Sequence, residues 1–478
     1  MQLIHKTTKK HIAVILLFLI FSIIFRSTGI SSLPDSLDPY DESGYLYDAK
    51  LINQGRVPYK DFFLAHPPLF IYLLSFFFKV TPNISYIHFA NILILSSIVV
   101  FIYLISFQIT KKNKVALLSS FLYTFSFLIF FYSKTLFIEP IISLLLISSL
   151  YLYFQKEKIA TYLFIILSSI APLAKIPAFL QNISLIIKNF FTRKRLFCKE
   201  NKPVFVSIFI SIAILLVLSF LVPNFYQDTI EFHRIRNYQM PFLEQKVPNV
   251  IGLAEKEWAI FLTGFIGCLY FIFKKTAKEQ VKAISYICFI SSTFFIGVFK
   301  VFCWHYLMPV LPLFCIISSL FITKLSEKIQ KLKFKNNFIS SVTKKYLVFL
   351  IIILYILLTY KHVSDIIEYQ KKSSEIAKDI VENIRKAPGD TIYTAYPMFA
   401  VLAEKEVPFW YYANDTYAAS QLDIPVEDSV EIFKKSDIIM FNYRTRSHLL
   451  KEAEEWVEEN CDLIYKREDV ELYLNKGK

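Results

Sequence analysis

The chain has 478 residues, 55% of them hydrophobic, 17% aromatic and only 19% charged, with a formal net charge of +14. A soluble fold of this length cannot hide so much apolar side chain, so a soluble globular protein is excluded. Nucleic-acid binding is excluded by the placement of the charge: residues 1–360 carry 37 Lys and Arg against 16 Asp and Glu, and residues 361–478 carry 16 against 23, so the excess sits in loops between apolar runs and not on one soluble face.

Apolar runs near the ~20 residues a helix needs to cross a bilayer recur from Ile12 to Tyr360. Spans are predicted at about 11–30, 87–109, 115–132, 138–154, 159–174, 176–191, 203–222, 257–273, 282–299, 303–322 and 345–360. The first follows Lys6, Lys9 and Lys10 as a signal peptide would, yet no small-residue cleavage site precedes Arg26, so it reads as a retained span. Lys175 and Pro177 interrupt 159–191, which reads as a short hairpin or as one broken segment. With the N-terminus in the cytoplasm, roughly 25 Lys and Arg fall on the inside and roughly 11 in the outer loops, as the positive-inside rule requires. An odd number of spans then leaves the C-terminal part outside the cell membrane.

Two long outer loops follow from this topology, 31–86 and 223–256. Within the first, 44–54 reads as a helix capped by Ser43 or Asp41. Pro67-Pro68 then opens an apolar run through Val80, expected as a helix along the interface. Residues 1–360 thus form an all-α polytopic membrane domain of about 11 transmembrane helices. Residues 361–478 change character. A helix over 365–386 precedes strand-like runs at Thr391–Tyr396, Asp437–Tyr443, Cys461–Lys466 and Val470–Leu474, with helical stretches at 426–435 and 446–458, the pattern of a small extracytoplasmic α/β domain. Pro388-Gly389-Asp390 supplies the turn before the first strand. The six Cys show neither pairing nor metal spacing and read as small core residues.

The chemistry-bearing residues concentrate in the first outer loop. Asp38, Asp41 and Glu42 stand shortly after the first span, followed by Tyr45, Arg56, Tyr59 and His66-Pro67-Pro68-Leu69. This loop resembles that of the GT-C glycosyltransferases, most closely the protein O-mannosyltransferases and the lipid A aminoarabinose transferases. Their loop opens with an Asp, often Asp-Glu, and ends in a Pro-Pro-Leu element, matched here by Asp41-Glu42 and Pro67-Pro68-Leu69. His66 before the prolines follows the O-mannosyltransferases. Weaker likenesses are Tyr132-Ser133-Lys134 with Glu139-Pro140, where the family has a second acidic residue; Ala174-Lys175-Ile176-Pro177, with Ala in place of Thr; and Trp304-His305-Tyr306-Leu307-Met308-Pro309. All fall at the outer ends of predicted spans.

The resemblance implies transfer of a sugar, with inversion, from a polyprenyl- or dolichyl-phosphate to an acceptor hydroxyl on a lipid, a glycan or a protein. That reaction needs a carboxylate to take the hydroxyl proton, and Asp41 is expected there with Glu42 and Glu139 beside it. It also needs cations on the departing phosphate, for which His66, Lys175, His305 and Lys300 are candidates, with Arg56 and Arg236 behind them. Tyr45, Tyr59 and Tyr306 are expected to position substrate. Blander readings stand beside these: Lys175 and Lys300 as snorkelling span ends, Glu139 as a charge on a helix dipole, His233, Arg234 and Arg236 as a solvated loop face, and Tyr45 and Tyr59 as belt aromatics. No cofactor is required. Asp38, Asp41 and Glu139 offer hard oxygens that suit Mg or Mn, while the likeness to the metal-independent branches favours none. The competing functions are an oligosaccharide ligase or polymerase fed by a lipid diphosphate, which would call for more outer cations, and a transporter, which would call for internal repeats and charges near midmembrane.

Overall fold

The computed structural model describes residues 9–30, 40–235, 241–300, 302–331, 337–394, 396–407, 426–442 and 451–477. The apolar runs are helical because a bilayer offers backbone amides no water, so they must bond within their own segment. In chain order the helices are α1 (Lys9–Ser27), α2 (Tyr40–Asn53), α3 (Leu69–Val80), α4 (Ile84–Thr110), α5 (Asn113–Thr124), α6 (Phe127–Tyr132), α7 (Glu139–Gln155), α8 (Lys158–Ile170), α9 (Phe179–Arg193) and α10 (Lys202–Leu221). They continue as α11 (Phe232–Ile235), α12 (Val247–Lys256), α13 (Trp258–Phe273), α14 (Glu279–Thr293), α15 (Leu311–Lys331) and α16 (Asn337–Lys386).

Helix length carries fewer crossings than the eleven expected. Among the described residues, Lys9–Ser27, Ile84–Thr110, Lys199–Leu221 and Glu279–Val298 are long and apolar enough to cross a bilayer, or five spans if the pair Phe242–Lys256 and Trp258–Phe273, bent by 109°, counts as one. Local breaks shorten the others. The predicted 115–132 span divides at Phe125-Ser126, where the Ser126 hydroxyl caps α6 by accepting the Ile129 N–H. The Glu257 carboxylate, at the bend between α12 and α13, holds this break by accepting from the Ser126 hydroxyl, the Leu128 N–H at 2.7 Å and the Tyr355 hydroxyl at 3.0 Å. The 159–191 stretch is a hairpin: Ser168 Oγ donates to Asn182 Oδ1 at 2.8 Å across its two arms.

The main apolar core joins α4, α5, α7 and α13 to α15. Small residues let helices approach, as is usual where lipid removes the hydrophobic drive between them. A Cβ on Gly264 would stand 2.6 Å from the Phe314 ring and 2.8 Å from Ser318 Oγ, so α13 and α15 nearly touch there. Arg26, fully buried at the end of α1, donates to Ser96 Oγ at 3.1 Å and to the Tyr123 carbonyl at 3.0 Å. Lys134 donates to the carbonyls of Arg26 and Thr28, satisfying the C-terminal end of α1.

The 50 residues of α16 extend about 75 Å, far more than a ~30 Å hydrocarbon core, so one helix runs through the composition shift at 360 into the tail. The tail adds α17 (Pro397–Leu402), α18 (Val426–Lys435) and α19 (Lys451–Asn460), with β1 (Ile392–Tyr393), β2 (Ile438–Phe441), β3 (Cys461–Arg467) and β4 (Val470–Asn475). The sheet has the order β1-β2-β4-β3, with β1 and β2 parallel and the other pairs antiparallel. Every residue of β2 is buried, as suits a central strand. The turn expected at Pro388-Gly389-Asp390 is present. Gly389 has φ +89 and its missing Cβ would meet Asp437 at 2.3 Å, while Asp437 Oδ2 accepts the N–H groups of Asp390 and Thr391, each at 2.9 Å.

Candidate active site

Helix α2 starts at Tyr40, before the acidic pair, so Asp41 and Glu42 occupy its first turn, where the helix dipole favours negative charge. This corrects the expectation that Ser43 or Asp41 caps a helix starting at 44. Ser43 has another partner: its hydroxyl accepts the Met398 N–H at 2.7 Å, at the start of α17. The tail domain therefore docks on the helix that carries the acidic pair, and Met398 joins the same apolar cluster as Tyr45 and Leu46. Glu42 turns inward and pairs with His88 of α4. At its far end α2 closes on Gly55, with φ +87, the Gly55 N–H bonding the Ile52 carbonyl and the Arg56 N–H the Leu51 carbonyl.

Glu139 opens α7 with Pro140 in the first turn. Lys175 is the extended residue between two single-turn 3-10 segments at the tip of the α8–α9 hairpin, a break imposed by Pro172 and Pro177. The two meet: Lys175 Nζ lies 2.6 Å from Glu139 Oε1, and 4.8 Å above the Tyr306 ring. His305 Nε2 stands 3.9 Å from the same carboxylate oxygen, its ring stacked on Phe137 at 4.7 Å and edge-on to Tyr132 at 5.6 Å.

A shallow cleft opens beside this cluster. Its polar lining residues are Glu139, Lys175, Tyr306, Gln181 and Ser291, and Leu146, Ile287 and Phe295 are among its apolar ones. Such a shape suits a ligand with a charged head and a hydrocarbon body.

The remaining candidates separate. Tyr45 lies near His66, with ring centroids 6.4 Å apart. His66 stacks on His233 at 5.5 Å, and His233 Nε2 hydrogen-bonds the Ala65 carbonyl at 2.9 Å. The Tyr59 hydroxyl donates to the His66 carbonyl at 2.7 Å, and Asn224 Nδ2 donates to the Tyr59 carbonyl at 2.9 Å. Asp228 Oδ2 accepts the Leu64 N–H at 3.3 Å, and burial pushes this carboxyl up to about 7. Residues 224–233 are thus clasped onto residues 58–66, which places His233 in an inter-loop contact and not on the solvated face expected for it. Lys300 Nζ donates to the Arg234 carbonyl at 2.9 Å. Exposed Arg56 lies beyond the opposite end of α2 from Asp41, about 20 Å along the chain axis. Asp38 and Arg236 lie outside the described residues. Among the described residues no three His, Cys, Asp or Glu side chains converge in a way that would hold a metal ion.

Sequence reading passed over His88, Asn91 and Asp228. For His88 and Asn91 a signal existed, since polar groups inside an apolar span are rarely idle. Asp228 had none, because its burial comes from a loop 164 residues away.

No family model and no curated protein sequence matches the chain. Solved structures do. ArnT from Cupriavidus metallidurans in the apo state aligns over 97% of this chain and 98% of that one, with a TM-score of 0.68 and 10% identity. ArnT from the same organism bound to undecaprenyl phosphate aligns over 96% and 97%, with a TM-score of 0.65 and 11% identity. The archaeal oligosaccharyltransferase AglB from Archaeoglobus fulgidus, in complex with an inhibitory peptide and a dolichol-phosphate, aligns over 98% of this chain and 74% of that one, with a TM-score of 0.58 and 11% identity. The chain shares the fold of these structures over nearly its whole length.

Proposed function

We propose that the protein is a membrane glycosyltransferase that moves one sugar from a polyprenyl- or dolichyl-phosphate to an acceptor hydroxyl at the outer membrane face. The observation that carries this reading is the meeting of Glu139 and Lys175 in the wall of a largely apolar cleft, with His305 beside Glu139. In this reading the acceptor oxygen attacks the anomeric carbon, the bond from that carbon to the phosphate oxygen breaks, and the hydroxyl proton passes to Asp41. Attack from the face opposite the phosphate inverts the anomeric centre. The lipid phosphate gains charge as it leaves, and the Lys175 ammonium is placed to stabilise it while the lipid lies along the apolar walls. Tyr45 and Tyr306 flank the reacting space, and His305 supports Glu139. The undecaprenyl phosphate and dolichol-phosphate bound by the structural neighbours support a lipid-phosphate donor. The basic loops support an outward-facing site with a cytoplasmic N-terminus.

Among the described lining residues of the cleft, Lys175 is the sole cation, which favours a monophosphate over a diphosphate carrier. The test is turnover of radiolabelled polyprenyl-phosphate sugars by the purified protein. Asp41→Asn is expected to lower kcat by ~100-fold or more. A folded Asp41→Asn protein working at the wild-type rate overturns the base assignment, and a wild-type protein that consumes no lipid-phosphate sugar overturns the function.

A further inference from the structure

The two acidic segments of the site are tied to a single helix. His88 and Asn91 stand one turn apart on α4 and are both buried. Residues at this spacing share a helix face and are separated by about 4.5 Å of rise. His88 Nε2–H donates to Glu42 Oε1 in the first turn of α2, and the two side chains are 1% and 2% exposed. Asn91 Nδ2 donates to the Thr135 carbonyl at 3.1 Å, in the link that leads from α6 to Glu139. One face of one helix therefore holds both the turn that presents Asp41 and the turn that precedes Glu139.

Glu42 is bound to this frame and not to the open cleft. Its Oε1 is taken by His88, and its Oε2 is buried with no hydrogen-bond partner among the described residues. A buried carboxylate left half satisfied is costly, and such a cost persists where the surrounding packing fixes the geometry. Neighbouring contacts do fix it. Asn53 and Ser75 lock the other end of α2 to α3, with Ser75 Oγ donating to Asn53 Oδ1 at 2.8 Å, and Ser43 is held by the Met398 amide.

We infer that His88 and Asn91 are positioning residues that set the separation between Asp41 and Glu139, and that Glu42 is the strut through which His88 acts and not a second base. The inference rests on the glycosyltransferase reading for its kinetic consequence. Sugar transfer needs the acceptor-side carboxylate and the donor phosphate held at one distance, and a misplacement of ~1 Å costs ~100-fold in rate. A rigid helix with both anchors on one face fixes that distance, because tilting it carries both together.

The experiment compares His88→Gln, His88→Phe and Asn91→Ala in the full-length protein, with two readouts. In the first, kcat and the donor KM are measured with a polyprenyl-phosphate sugar. His88→Phe and Asn91→Ala should lose ~10- to 100-fold in kcat with donor KM changed less than ~3-fold. His88→Gln, which keeps an N–H donor at similar reach, should recover most of the loss. Adding Glu42→Gln to His88→Phe should cost little more, as expected of two members of one strut. In the second readout, amide hydrogen exchange should quicken over residues 42–46 in His88→Phe and over 133–138 in Asn91→Ala, each without the other. Equal kcat losses in His88→Gln and His88→Phe overturn the inference, as does wild-type exchange in both segments of both variants. Absence of wild-type turnover overturns the function while the exchange data still decide whether α4 holds the two segments.

Discussion

Lys175→Met and Glu139→Gln should move donor binding in opposite directions. The Lys175 ammonium and the Glu139 carboxylate are 2.6 Å apart, with side chains 14% and 3% exposed. At an effective dielectric near 20 that contact has a gross attraction of about 6 kcal/mol, much of it offset by desolvation of both ions. A lipid phosphate reaching Lys175 meets the same ammonium at a similar distance, so it must displace Glu139 with little net gain from that exchange. Replacing Glu139 by Gln keeps an oxygen for Lys175 but removes the competing charge. Donor affinity should then rise by the difference between a charged and a neutral hydrogen bond, about 1 to 2 kcal/mol, or ~5- to 30-fold. Lys175→Met removes the cation, leaves the buried Glu139 without its 2.6 Å ammonium, and should weaken donor binding ~10- to 100-fold. The assay is equilibrium binding of a polyprenyl phosphate to purified protein in detergent, with unfolding midpoints measured alongside. If both variants weaken binding alike in folded protein, Glu139 is not a competitor for Lys175 and the reasoning fails.

Asp228 gives a pH dependence. Its folded value of about 7 lies above the ordinary 3.8, so the folded state holds the proton. The stability it lends to the inter-loop clasp is full below about pH 4 and is lost as pH rises through about 7. Exchange of the Leu64 amide should therefore quicken from pH 5 to 8 after correction for intrinsic rates, and Asp228→Asn should flatten that rise; an unchanged profile in the variant counts against the buried carboxyl. Gly264→Ala should lower the unfolding midpoint at a cost of ~1 to 3 kcal/mol, because its Cβ would stand 2.6 Å from the Phe314 ring. A wild-type midpoint would show that α13 and α15 do not approach so closely. Ser43→Ala leaves the Met398 N–H without its 2.7 Å acceptor and should cost ~1 to 3 kcal/mol of tail-domain docking, read as faster proteolysis of the tail; unaltered proteolysis would argue against the contact.

What the sequence alone determined follows from properties that add up along the chain. Hydropathy over each window decided membrane class and located most of the helices. The strands at 438–441, 461–467 and 470–475 were legible from short apolar runs bounded by turns. The Asp41-Glu42 and Pro67-Pro68-Leu69 elements were legible because a motif is contiguous. Eleven spans were not recovered by helix length, since Ser126, Pro172, Pro177 and Glu257 act on backbone geometry that a hydropathy average smooths over. Tertiary structure alone decided which polar groups meet. Glu42 pairs with His88 across 46 residues, Lys175 with Glu139 across 36, and Ser43 with Met398 across 355. Each pairing requires two helices or a helix and a loop to present particular faces to one another. Buried polar groups in lipid must find such partners, but the chain order does not say which of them will be within reach.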